Sequence, residues 1–144
     1  MLLGMGNDKI IIGYDLADTC SQISYCYIKE GSEVATLSSV AGEENYDIPT
    51  ILCKKCGTNQ WLIGNEAYRF LEENPEQGIL VDNLLQLAID GETLQLEGTE
   101  YEPENLLALF VKRSLNLLTG IAPLEKVTAL MFTCDILSPR MIEV

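Results

Sequence analysis

The stretch Ile10-Ile11-Ile12-Gly13-Tyr14-Asp15-Leu16-Ala17-Asp18-Thr19-Cys20-Ser21 decides the fold of this chain. Lys9 to Leu16 is a short apolar run bounded by polar residues, the pattern of a buried strand. Asp15 to Ser21 is polar and turn-like. Beyond it, Ile23, Tyr25 and Tyr27 alternate with Ser24, Cys26 and Ile28, which makes a second strand. Glu30-Gly31-Ser32 is a turn, and Glu33 to Val40 reads as a third strand. Strand, tight turn, strand, turn and strand predict an antiparallel meander.

Downstream, Gly42 to Asp47 is an acidic loop. Thr50-Ile51-Leu52-Cys53 and Gln60-Trp61-Leu62-Ile63 pair as a hairpin whose tip, Lys54 to Asn59, is solvated. Gly64-Asn65 begins a helix with Asn65 as its N-cap, ending near Asn74-Pro75. Leu80, Leu84, Leu87 and Ala88 lie at helical spacing, so residues 79–90 are read as a helix. Glu92 to Glu97 alternates as a strand, with Gly98-Thr99 a turn. Pro103 suits the first position of a helix. The stripe Leu106, Leu107, Phe110, Val111, Ser114, Leu115, Leu118 extends that helix to Gly120 and marks its core face. Val127 to Phe132 is a buried strand. Ser138-Pro139-Arg140 is another helix start, with only four residues after it. A helix that short has no stability of its own, so the chain is read as a truncated domain.

The 144 residues suffice for one domain or part of one, and 47% hydrophobic with 22% charged residues is a globular composition. No apolar run reaches the length of a membrane span, and the first residues lack the basic start and long apolar core of a secretory signal. Lys and Arg number 9 against 22 Asp and Glu, a net charge of −13. That balance argues against nucleic acid and against an anionic membrane as partners. The chain has no histidine. The usual general base near neutral pH, the Ser-His and Cys-His pairs and the commonest metal ligand are therefore absent. Chemistry must rest on carboxylates, hydroxyls, thiols or backbone amides.

The cysteines are Cys20, Cys26, Cys53, Cys56 and Cys134. An odd count without a signal predicts free thiols and a cytoplasmic location. Cys53-Lys54-Lys55-Cys56 has the spacing of half a zinc knuckle, yet a closed site needs four ligands. A hairpin tip with two thiols and a zinc site completed by a second chain or by distant cysteines both remain open at this point.

Ile12 to Ser21 resembles the phosphate-1 loop of the actin-like ATPase superfamily, closest to the seventy-kilodalton heat-shock chaperones (DnaK-like), whose pattern there is I/V-G-I-D-L-G-T-T-x-S. Later stretches keep the same order. Ile48-Pro49-Thr50-Ile51 is similar to the family's I/T-P-S-x-V, and Ile63-Gly64-Asn65-Glu66-Ala67 to its V-G-x-x-A. Tyr101-Glu102-Pro103-Glu104-Asn105-Leu106 resembles its F/Y-x-P-E-E-I/V helix start. Val127 to Thr133 matches its V-x-x-A/V-V-I/V-T-V-P strand, and Ser138-Pro139-Arg140-Met141 falls where the next helix begins. The resemblance covers roughly Lys9 to Val144.

It implies an α/β fold: the ribonuclease-H-like first lobe of an actin-like nucleotide-binding domain, a mixed sheet with flanking helices and a small α+β insertion. Residues 1–144 would be that lobe, truncated, with 46–100 as the inserted subdomain. It also implies ATP or ADP with Mg²⁺ as ligand of the parent protein, held between this lobe and a second one. The carried-over roles are Asp15 for the metal, and Ala17, Asp18, Thr19 and Ser21 for the phosphates. The physics agrees in part. A tight turn between antiparallel strands collects backbone N–H groups into an anion-binding nest. One carboxylate and several waters suit Mg²⁺, and Thr19 and Ser21 add hydroxyl donors.

Three positions depart from the pattern. Ala17 replaces a glycine where backbone should approach phosphate. Asp18 replaces a threonine, and an anion roughly 5 Å from a phosphate charge at an effective dielectric near 20 is repelled by about 3 kcal/mol unless a metal bridges them. The family's lysine in D-A-K-R-L has no counterpart in Asp82-Asn83-Leu84-Leu85. Two readings follow: a DnaK-like ATPase parent, whose isolated lobe would not hydrolyse ATP, or a non-hydrolysing relative acting as a protein-interaction module. A lobe without its partner is further expected to expose apolar surface and self-associate.

Overall fold

The computed structural model describes residues 9–27, 34–36, 46–118 and 127–134. Their elements run β1 (Ile10–Leu16), β2 (Cys20–Tyr27), β3 (Ala35–Thr36), β4 (Ile48–Pro49), β5 (Leu52–Lys55), β6 (Trp61–Ile63), α1 (Gly64–Glu73), β7 (Gly78–Val81), α2 (Leu84–Asp90), β8 (Leu94–Leu96), β9 (Thr99–Tyr101), α3 (Pro103–Leu115), a 3₁₀ turn (Asn116–Leu118) and β10 (Val127–Cys134). The chain is thus a mixed α/β protein, as its sequence pattern predicts.

Period-two alternation makes β1 the heart of the main sheet. Ile10, Ile12, Tyr14 and Leu16 point to one face and are buried there. β1 pairs antiparallel with β2, from Ile10 opposite Tyr27 to Asp15 opposite Gln22. On its other edge it pairs parallel with β10, from Ile10 opposite Val127 to Leu16 opposite Cys134. β3 and β4 both pair antiparallel with β2, giving the order β10-β1-β2-β3 with β4 at the start of β2. The predicted meander and the strand from Val127 are therefore present, but that strand is not buried: Leu130, Met131 and Phe132 are exposed. The ends of the third strand, the loop at 42–45, the helix end at Gly120 and the helix start at Ser138 lie outside the described residues.

α3 shares a core with the β1 face. Leu106, Leu107 and Phe110 are buried in one core with Ile10, Ile12, Tyr14, Leu84, Leu85 and Ala88. The Tyr14 hydroxyl reaches the Ser114 hydroxyl on α3, and Ser114 donates on to the Val111 carbonyl at 2.8 Å. Burial pushes the Tyr14 phenol well above its ordinary pKa, and the Ser114 bond only partly opposes that. Tyr14 is a neutral core group. β10 is less covered: Leu130, Met131 and Phe132 are 40%, 63% and 45% exposed, although Phe132 packs its ring on Tyr14.

A second, smaller sheet, β6-β5-β7, carries α1. Ile51, Cys53 and Ala67 form its core with Leu62, Phe70 and Leu71. β7 can lie so close because residue 78 has no side chain. A Cβ there would stand 2.7 Å from Cys53 Sγ and 3.0 Å from Leu71. Trp61 is buried and meets Tyr101 edge to face, while its carbonyl accepts from Arg113 at 2.6 Å.

The structure corrects several local expectations. The helix read over 79–90 is a strand, Gly78–Val81, followed by a shorter helix, Leu84–Asp90. Asn83 separates them in the left-handed region (φ 53°), which Asn tolerates better than most residues. Ile63, not Asn65, stands at the N-cap of α1, and it offers no capping side chain. Gly98-Thr99 is not the whole turn: Glu97 and Gly98, both at positive φ, close a hairpin whose second strand starts at Thr99. A two-residue loop with both central residues at positive φ is the hairpin connection that matches strand twist.

Lys54 is the largest local surprise. It is not a solvated tip residue but a buried one, and its ammonium is paired with the Glu97 carboxylate. Glu97 also accepts from the Gly57 N–H at 3.0 and 3.1 Å. The left-handed Glu97 backbone therefore aims one carboxylate at two groups of the β5–β6 hairpin, clamping it to β8–β9. The Lys54 bond holds the Glu97 carboxyl below its ordinary pKa, and the same bond raises that of Lys54. A depressed carboxyl contributes stability above its unfolded pKa and loses it as pH falls through the folded value. The raised lysine contributes until pH climbs through its own. Glu97→Gln is expected to destabilise the chain at neutral pH, and the gap to wild type should close on acidification through the carboxylate range. Urea unfolding at a series of pH values measures this; a pH-independent gap would assign the effect to packing alone.

Candidate functional site

β1 and β10 run parallel and end side by side, at Leu16 and Cys134. In open α/β sheets, ligands bind outside the carboxyl ends of parallel strands. Two polar side chains meet there. Asp15, one residue before the end of β1, points out of the core because the buried positions of that strand are even-numbered. Its register partner on β10 is Thr133, whose hydroxyl donates to Asp15 Oδ1 at 3.0 Å. The bond orients the carboxylate while both residues stay exposed. Oδ1 accepts from Thr133, and one oriented carboxylate completed by waters is a donor set that Mg²⁺ accepts. Among the described residues no group of three Cys, Asp or Glu side chains gathers into a metal cage.

The turn Ala17-Asp18-Thr19 connects the two strands beside this point. It is held from behind by Thr50, directly after β4. The Thr50 hydroxyl donates to the Ala17 carbonyl, and the Thr50 N–H donates to the Thr19 carbonyl at 3.2 Å. Ser21 Oγ lies 2.7 Å from Thr50 Oγ1. Since that Thr50 proton is already directed at Ala17, Ser21 is the donor of the pair. Both side chains are fully buried, and every buried side-chain polar atom among the described residues has a partner.

The sequence-predicted site residues thus divide. Asp15 and the backbone of Ala17 to Thr19 come together at the strand ends. Ser21 lies on the turn's inner side, so its hydroxyl supports the turn from within the fold. Asp18 has a different employment from the one its position suggested. Its Oδ1 accepts from the Leu85 N–H at 2.7 Å and its Oδ2 from the Gln86 N–H at 3.3 Å. These are first-turn amides of α2, which lacks a capping side chain of its own. A carboxylate at a helix N-terminus satisfies orphan donors and suits the helix dipole. Asp18 is therefore not a free turn carboxylate; it ties the β1–β2 turn to α2.

The thiols divide as well. Cys53 is buried in the second core, and burial pushes its pKa up. Cys56 is exposed on the hairpin turn, so the two cysteines of the half-knuckle spacing occupy different environments. Cys20 begins β2 next to the candidate site; partial burial and then the Asp47 charge raise its pKa, which keeps it a thiol near neutral pH. Thr50 and Thr133 are the residues that motif reading passed over as site residues. Both lie in stretches whose family resemblance is noted above, but threonine at a strand end carries no spacing signal, and each acquires meaning only through a partner more than thirty positions away.

Residues 33–144 match the family described as family of unknown function (DUF5716), C-terminal. The matched stretch holds Thr50, the first turn of α2 and Thr133, while β1, β2 and the turn between them precede it. As it covers more than three quarters of the residues, this chain belongs to the DUF5716 C-terminal family.

Proposed function

We propose that the chain is the first lobe of an actin-like, DnaK-like nucleotide-binding fold and contributes half of a site for the phosphates and Mg²⁺ of ATP or ADP. The observation that carries this reading is the β1–β10 pairing, which sets Asp15 and Thr133 side by side at the carboxyl ends of parallel strands, next to a backbone turn. The sheet order supports the finer fold assignment. Three antiparallel strands followed, after the segment holding α1 to α3, by a fourth parallel to the first is the ribonuclease-H-like order. The region 46–100, with its own small sheet and α1, suits an inserted subdomain.

In this reading Mg²⁺ supplies charge neutralisation for the phosphates. Asp15, its carboxylate fixed by Thr133, would hold the ion, and the turn would offer backbone N–H groups to phosphate oxygens. The chain's own side chains offer no lysine in 79–90 and no histidine, and phosphoryl transfer depends on positioning by several groups at once. The reading is thus one of binding without hydrolysis by this lobe alone, in the cytoplasm. A second reading, a protein-interaction module, is favoured by the exposed apolar residues of β10; self-association through that strand belongs to it.

The test is an NMR titration with Mg-ADP. Amide shifts are expected at residues 15–19 and at Thr133, and Asp15→Ala should weaken the apparent affinity about tenfold or more, the equivalent of 1.4 kcal/mol. Shifts confined to β10 on adding any protein, with none at 15–19 on adding nucleotide, would favour the interaction module.

A further inference from the structure

We infer that Thr50 is a positioning residue for phosphate recognition by the β1–β2 turn, an inference that rests on the nucleotide reading above and goes beyond it. The turn's carbonyls, not its side chains, carry the argument. In a trans peptide the C=O and the following N–H point in opposite directions, and every described peptide bond here is trans. Thr50 binds the carbonyls of Ala17 and Thr19 with its hydroxyl and its own N–H. Both carbonyls are therefore turned to the β4 side. The N–H groups of the same two peptide units, those of Asp18 and Cys20, are turned to the opposite side. Two N–H groups facing one way, one residue apart, form the concavity that receives an anion.

The neighbours fix this arrangement. Ser21 donates to Thr50 Oγ1, so the hydroxyl's only proton is committed to Ala17. The Asp18 carboxylate is held separately, by the α2 amides. The turn is thus gripped at 17 and 19 from β4 and at 18 from α2. An ungripped turn could rotate its peptide planes and present a carbonyl to a phosphate, which repels it. The hydroxyl of a fully buried threonine thereby selects which face of the backbone the ligand meets, without touching the ligand itself.

Thr50→Val keeps the shape and removes the hydroxyl; Thr50→Ser keeps the hydroxyl. Two measurements are made on each variant of the chain. The first is amide hydrogen exchange at Asp18, Thr19 and Cys20, relative to exchange in α3. The second is the apparent affinity for inorganic phosphate and for Mg-ADP, from NMR shifts of the same amides. Thr50→Val should speed exchange at the turn and weaken both ligands, each about tenfold, the scale of one buried hydrogen bond. Thr50→Ser should stay near wild type in both. Ser21→Ala, a milder change that leaves Thr50 on Ala17, should give a smaller loss in the same direction. Unchanged affinity in Thr50→Val while the wild type binds would overturn the inference and leave the nucleotide reading standing. A wild type that binds neither ligand, with turn exchange still accelerated in Thr50→Val, would overturn the nucleotide reading, and with it the positioning role. Weakened binding in Thr50→Ser equal to that in Thr50→Val would assign the effect to packing and overturn it too.

Discussion

Phe110→Ala is expected to destabilise the chain by about 3–5 kcal/mol, the range for truncating a buried aromatic and leaving a cavity behind it. Phe110 is fully buried on α3, and the core it shares includes Ile12 and Tyr14 of β1. Domains of this size are stable by only about 5–15 kcal/mol, so this one side chain carries a large share. The loss should register in function as well as stability. β1 rests on α3 through Tyr14 and Ser114, and Asp15 is the next residue along. A cavity in the core that β1 and α3 share is expected to loosen the strand end that presents the carboxylate. Urea unfolding should show a lower midpoint with an unchanged slope. A midpoint shift worth less than about 1 kcal/mol would mean that α3 closes over the space, as surroundings that collapse well can do.

The residues that carry the main core were legible because their pattern is local. Ile10, Ile12, Tyr14 and Leu16 alternate over seven residues, and Leu106, Leu107, Phe110 and Ser114 repeat at helical spacing over nine; each pattern names its element and its buried face. Residues 79–90 misled for the same reason. Leu80 belongs to β7, yet its distance from Leu84 and Leu87 happens to equal helical spacing, and a short apolar run does not distinguish strand from helix. The break lies in Asn83, whose left-handed backbone is a property of the fold.

The candidate site was marked in the sequence as a segment and not as a set of contacts. The polar interruption between two strands marked 15–21, and the family resemblance gave it a role. What each side chain does there depends on segments distant in sequence: Asp15 on Thr133, the 17–19 carbonyls on Thr50, Asp18 on Leu85 and Gln86. Lys54 teaches the same lesson away from the site. A lysine in a hairpin reads as solvated until its partner, Glu97, comes from another hairpin to neutralise it. Buried charges need such partners, and nothing in the local sequence announces them.

Asp18 turns that lesson into the second large expected effect. Asp18→Ala removes both acceptors from the first turn of α2, and Asn83 does not replace them, since its side chain makes no capping bond. Loss of an N-capping side chain costs about 0.5–2 kcal/mol. The upper part of that range is expected here, because Leu85 is buried and its N–H is partly shielded from water. Asp18→Asn keeps one carbonyl acceptor and loses the charge that suits the helix N-terminus, so it should fall between wild type and alanine. The position of the loss is as telling as its size. Amide exchange should rise at Leu85, Gln86 and along α2 while α1, which Asp18 does not touch, stays protected. Through the turn, the same substitution should also release Ala17 and Thr19 from one of their two anchors, leaving the grip of Thr50. Unchanged exchange at Leu85 and Gln86 in Asp18→Ala would show that water serves those amides equally well. In the wild type the carboxylate would then be available to a metal ion at the turn, and Asp18→Ala would have to weaken Mg²⁺-bound nucleotide more than metal-free nucleotide.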